Sequence, residues 1–115
     1  MRFLLALLLA LTAGAAAAAD GKVMFDRECA SCHPLSGASA QSGPSLKGVV
    51  WRKIAGRSDF AYSAALRGTI GSWTPARLDA FLRDTQTFAP GTDMFWDISD
   101  PARRKAIIAF LESVK

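Results

Sequence analysis

A chain of 115 residues, half of them hydrophobic, with 14 Lys and Arg against 10 Asp and Glu, has the length of one small domain. Its formal charge of +4 is too mild to mark a nucleic-acid binder. Two cysteines and one histidine fall short of the four ligands of a structural zinc site, so the chemistry must rest on few residues.

Met1-Arg2 gives a short positive end, Phe3 to Leu11 an apolar run, and Thr12 to Ala19 a stretch of small residues. That order predicts a secretory signal peptide over residues 1–19, too short for a comfortable membrane span, with the uncleaved anchor as the alternative. Cleavage after Ala17-Ala18-Ala19 leaves a domain over residues 20–115 beginning at Asp20. Export, and hence the periplasm, is the expected location. Removing 19 of the 115 residues leaves 96, and the loss of Arg2 leaves 13 basic residues against 10 acidic. A domain so small buries a modest core.

Residues 21–30 mix Val23, Met24, Phe25 and Ala30 with Lys22, Asp26, Arg27 and Glu28, the composition of a short amphipathic helix. It leads into Cys29-Ala30-Ser31-Cys32-His33. This is the C-x-x-C-H signature of covalent haem attachment. On a helical turn the two thiols project from one face, able to reach the two vinyl groups along one porphyrin edge. His33 is then placed under the ring, where a neutral imidazole nitrogen can bind iron. The other readings fit less of the pattern: a redox dithiol wants a βαβ setting around C-x-x-C, and a plain disulfide leaves His33 unexplained. One covalently attached haem c, with its iron, is the expected cofactor. A macrocycle that large would be a substantial part of the interior, so the haem-free chain is expected to be largely unfolded.

Pro34 blocks helix continuation, and the Ser, Gly, Ala and Gln that follow through Gly43 read as an irregular loop. Gly43 to Gly48 is turn chemistry, the three apolar residues 49–51 are too few for a strand, and Ser63 to Leu66 makes one helical turn ended by Gly68 to Gly71. So long a loop region in a compact domain makes sense when it wraps a ligand. Thr74-Pro75 then opens a helix with the stripe Leu78, Phe81, Leu82 and Thr85. Residues 86–99 are irregular, and Asp100-Pro101 opens a last helix burying Ile107, Ile108, Leu111 and Val114.

The chain has no second histidine, so an iron bound by His33 is either open or closed by a sulfur. Met1 leaves with the signal, and Met24 sits on the helix that already abuts the haem edge, where core packing explains it. Met94, in the turn-rich Pro90-Gly91-Thr92-Asp93-Met94, is the expected second ligand.

With C-x-x-C-H at 29–33, Gly43-Pro44-x-Leu46-x-Gly48, Arg52, Phe60-x-Tyr62-Ser63, Trp73, Leu78 and Pro90-Gly91-Thr92-x-Met94, the chain resembles a class I cytochrome c of the bacterial periplasmic type. The resemblance implies an all-α fold, with helices and long irregular loops wrapped around the haem. It implies that the Pro44 carbonyl accepts the second imidazole N–H of His33, and that Arg52, Tyr62 and Trp73 bond to the haem propionates directly or through water. Gly21 and Phe25 should meet Ile107 and Phe110 where the first and last helices cross. Two residues depart from the pattern. Phe81 replaces a tyrosine that bonds the methionine sulfur, which should shift the potential, and Leu66 replaces a polar asparagine, which should dry the pocket. Trp96 falls beside the position of an aromatic that screens the haem edge.

The implied function is a soluble monohaem carrier of single electrons between redox protein partners, not an enzyme, with no nucleic acid, no membrane insertion after signal removal, and a monomeric state. A dedicated haem subunit of a periplasmic dehydrogenase or oxidase is the alternative, and an open-site peroxidase or gas sensor the next. Where mitochondrial relatives ring the haem edge with lysines, this chain has Glu28, Gln86, Thr87 and Asp93, with Asp97 and Asp100 near in sequence. Its positive charges are expected away from that edge, at Lys47 to Arg57, Arg67 and Arg103-Arg104-Lys105. Read plainly these are solvated surface charges. Read as steering groups, they point away from a standard mitochondrial-type oxidase site.

Overall fold

The computed structural model describes residue 18 and residues 20–115. The signal peptide expected over residues 1–19 lies outside them apart from that single residue. Among the described residues five helices carry the fold: α1 through residues 20–28, α2 Ala64–Arg67, α3 Pro75–Arg83, α4 Thr85–Phe88 and α5 Pro101–Ser113. Among the described residues there is no strand, only an isolated antiparallel bridge between Lys53 and Ser72.

Helix α1 buries Gly21 and Phe25, and the turn that follows it buries Cys29, a spacing of four that lines one face. That face lies on α5. A Cβ on Gly21 would stand 1.9 Å from the Ala106 carbonyl oxygen and 2.8 Å from Phe110 Cβ, so the crossing accepts a hydrogen atom only. One turn on, the Phe25 and Phe110 rings pack with centroids 5.5 Å apart, and Phe25 and Ile107 are almost wholly sealed from solvent. Of the contacts implied by the resemblance, those of Gly21 and Phe25 with Phe110 are present, and Gly21 also meets the Ala106 carbonyl.

The long stretch between α1 and α2 is held by side chains in place of a ladder. Asp59 accepts from the Ser39 N–H at 2.9 Å and the Ser39 hydroxyl at 2.8 Å, while Arg57 grips both carboxylate oxygens at 2.8 Å. The Ser39 hydroxyl in turn accepts from the Ser45 N–H at 3.0 Å. No strand forms at 49–51, because Trp51 takes a left-handed turn at φ 72°. Its N–H still reaches the Trp73 carbonyl at 2.8 Å, which ties the loop to the start of α3.

Helix ends follow their local chemistry. The Ser63 hydroxyl accepts from Leu66 N–H, Thr74 from Arg77 N–H, and Asp100 from Ala102 N–H, with proline at the first position of α3 and α5. The apolar stripe does not belong to one helix. Helix α3 buries Leu78, Phe81 and Leu82, but the chain breaks at Asp84, which is extended at φ −158°, and the buried Thr85 begins α4. Asp84 caused the break: its carboxylate takes the Thr87 N–H at 3.1 Å and the Thr87 hydroxyl at 2.7 Å, starting a new turn. Similarly, Val114 caps α5 and is not part of its buried face.

The basic run in α5 also needs correction. Arg104 is not a surface charge but is 6% exposed. Its guanidinium donates to Asp79 at 2.8 Å and to the carbonyls of Ile98 and Ser99 at 2.8 and 3.0 Å. It thereby pins the entry of α5 to α3.

Candidate functional site

Because loops and helices meet around a space that their own side chains do not fill, the fold encloses a cavity of about 310 Å³. That is within the usual range of about 300–1,000 Å³ for bound organic molecules. Most of its wall is apolar: Leu46 and Val49 from the loop before α2, Leu66 from α2, Leu78, Phe81 and Leu82 from α3, Ile107 and Leu111 from α5. All eight residues expected at the site line it, namely Cys29, Cys32, His33, Pro44, Arg52, Tyr62, Trp73 and Met94.

The turn after α1 places three of them together. Cys32 N–H donates to the Cys29 carbonyl at 3.1 Å and His33 N–H to the same oxygen at 2.9 Å, which winds 29–33 into one further turn. Both cysteines are free thiols. Burial, then the neighbouring Glu28 and Cys32, pushes the Cys29 thiol up to about 12. A redox dithiol needs the opposite, a depressed and ready thiolate, so this environment disfavours that chemistry. Zinc is disfavoured too: among the described residues no group of three or more His, Cys, Asp and Glu side chains is placed to hold a metal ion.

His33 Nδ1 lies 2.9 Å from the Pro44 carbonyl. A carbonyl only accepts, so Nδ1 carries the proton and Nε2 keeps its lone pair, the form in which an imidazole binds a metal. Burial pushes the His33 ring below its ordinary value, with the Pro44 bond opposing, and so favours the neutral ring. Gly43 makes this fit possible, since a Cβ there would stand 2.7 Å from the Cys32 carbonyl oxygen and 2.8 Å from the imidazole.

Three donors lie on the loop side. Arg52 gives Nη1 to the Ser45 carbonyl at 2.9 Å and Nη2 to the Lys47 carbonyl, and burial lowers it from its ordinary value. Part of its fork therefore braces the loop. The Tyr62 hydroxyl accepts a long 3.4 Å bond from Arg57 N–H. Trp73 is buried against Phe81 and Phe88, with ring centroids 5.0 and 5.5 Å away. Its indole N–H has no protein partner among the described residues, yet no buried donor there lacks one, so this N–H opens onto space that a polar group can occupy.

Met94 packs half-buried against the core, with its neighbours Phe95 and Trp96 exposed at the cavity mouth. Sequence reasoning took Glu28 for a rim charge only. In the structure its carboxylate accepts from Trp96 Nε1 and from Arg103, each at 2.7 Å. Thr92 was passed over as part of a motif, but it is 1% exposed and holds the approach to Met94: its N–H donates to the Ala89 carbonyl and its carbonyl accepts from Gln86. No signal short of the folded contacts marks either role.

An apolar cavity with two free thiols, a metal-ready imidazole, a thioether and an unpartnered N–H fits a covalently held haem. Comparison with known proteins agrees. The Cytochrome c family model matches residues 18–115. Cytochrome c of Tetrahymena pyriformis is 38% identical over 98 residues, covering 84% of this chain and 88% of that protein. The "cytochrome c-type cyt cy" of Rhodobacter capsulatus is 38% identical over 95 residues, covering 82% of this chain, which spans about half (47%) of that relative's length. The solved cytochrome cH of Methylobacterium extorquens superposes with a TM-score of 0.77 at 39% identity, covering 84% of this chain and 97% of that one. The match over nearly the whole described chain, together with a site whose lining fits a haem, places this protein in the cytochrome c family, whose members carry covalently attached haem c.

Proposed function

We propose that the protein carries single electrons as a soluble monohaem cytochrome c, with Cys29 and Cys32 as attachment thiols and His33 and Met94 as the two iron ligands. The observation that carries this reading is that His33 and Met94 line one cavity that no other histidine or methionine lines among the described residues. When bound, the haem supplies a one-electron ferric/ferrous couple. Pro44 holds the His33 tautomer, and Met94 offers a thioether, which favours the ferrous state. Arg52, Tyr62 and the open Trp73 N–H supply donors for the propionates. If His33 and Met94 both held the iron, no open position on it would be left for a substrate, which supports a carrier over an enzyme. Its exposed rim near Phe95 and Trp96 meets redox partners in brief encounters.

The leader over residues 1–19 directs export to the periplasm, leaving residues 20–115 as the working domain. Among the described residues, no helix is long and apolar enough to cross a membrane.

The test is the visible spectrum of the holo-protein. A weak sulfur-to-iron band in the ferric state that disappears in Met94→Ala is the expected result. A wild type without that band that binds CO readily when reduced would instead make the site open, and the carrier reading would fall.

A further inference from the structure

The segment bearing Met94 is poorly held by its own backbone. Thr92 N–H and Ile98 N–H are bonded, the latter to the Leu82 carbonyl at 2.7 Å, but no backbone hydrogen bond fixes residues 93–97 between them. Within that gap Phe95 is 75% exposed, and Asp97 acts at the far end by accepting from Thr85. After Met94 the nearest tie is the Trp96 indole, which donates to Glu28 at 2.7 Å.

Glu28 is suited to hold it. It stands at the end of α1 immediately before Cys29, its side chain is 17% exposed, and its second oxygen is fixed by Arg103 of α5 at 2.7 Å. One carboxylate thus links the helix that leads to the thiols, the segment that carries the thioether, and the last helix. A charge-assisted bond from a fixed acceptor is stronger than a neutral one, and a half-shielded position weakens it little.

We propose that Glu28 is a positioning residue that holds the Met94 segment across the mouth of the cavity by way of Trp96, with Arg103 fixing the carboxylate. The inference rests on Met94 being the second iron ligand. Loss of the tie leaves the sulfur nearby but less restrained, so an outside ligand competes with it more easily.

The experiment titrates imidazole into the ferric holo-protein and follows the sulfur-to-iron band. Trp96→Phe keeps the ring and deletes the donor, and Glu28→Leu deletes the acceptor. Both should raise the apparent imidazole affinity by about tenfold, the effect of losing one hydrogen bond to a charged group. Glu28→Gln retains an oxygen for the indole and should restore most of the wild-type resistance, which a merely stabilising surface charge would not do. Unchanged imidazole affinity in both Trp96→Phe and Glu28→Leu, with the band intact in the wild type, overturns the positioning role alone. A wild type that lacks the band overturns it together with the ligand reading.

Discussion

At residue 21 two opposed effects can be weighed. Alanine is the better helix former by about 1 kcal/mol, so propensity alone would make Gly21→Ala stabilising. The crossing decides otherwise, since the new Cβ would lie 1.9 Å from a backbone oxygen of α5 that cannot swing aside. Overpacking of this kind costs about 1–3 kcal/mol. The melting temperature of the holo-protein should therefore fall by roughly 10 °C, and an unchanged or raised value would show that the helices part without cost. Asp59 makes a second residue-scale case. The Arg57 guanidinium first, and then the Ser39 N–H and hydroxyl, hold its carboxyl well below the ordinary 3.8. A depressed folded value means that the charged form is favoured by folding, so the contribution is complete above pH 3.8 and is lost as pH falls below it. The Ser39 amide signal should thus stay in its neutral-pH position through pH 3.8 and move only in stronger acid. A transition centred at 3.8 or above would contradict the pairing.

Among the elements, the helices with a hydroxyl or carboxylate followed by proline were legible from sequence, because a cap is a local bond between residues two or three apart. Thr74 with Arg77 and Asp100 with Ala102 are of that kind. The break at Asp84 was not, for the spacing of Leu78, Phe81, Leu82 and Thr85 satisfies one helix and two short ones alike. What decides is that Asp84 binds Thr87 while Asp97, from a distant loop, takes Thr85 N–H at 3.0 Å. Asp84→Ala should remove the start of α4 and lower stability by about 1 kcal/mol, the usual cost of a lost cap. Since the neighbouring Phe88 stacks on Trp73, the Trp73 proton shifts in the holo-protein should change as well. An Asp84→Ala variant with unaltered Trp73 shifts would mean that packing, not the cap, sets α4.

For the molecule as a whole, the site was more readable than the loops that build it. Cys29, Cys32 and His33 declare themselves by spacing, and Met94 by the absence of a competing ligand, whereas Glu28, Thr92 and Arg104 act through partners 5 to 75 residues away that no local pattern links. The same contrast explains why the loops need the cofactor. Their polar web around Ser39 and Asp59 ties the chain to itself but leaves about 310 Å³ in the middle unfilled by protein. At about 24 cal/mol per Å³, an empty space of that size costs on the order of 7 kcal/mol. The whole stability of a domain this small is about 5–15 kcal/mol, so the two are of one size. Water entering the open mouth offsets some of that cost but cannot replace apolar contacts with Leu78, Phe81 and Ile107. A Cys29→Ala, Cys32→Ala chain made without haem should accordingly show little helix by far-ultraviolet circular dichroism and no cooperative urea transition. A haem-free chain that unfolded cooperatively at a denaturant midpoint near that of the holo-protein would place the stabilising core in the α1 and α5 crossing alone. The cofactor would then be a passenger in the fold.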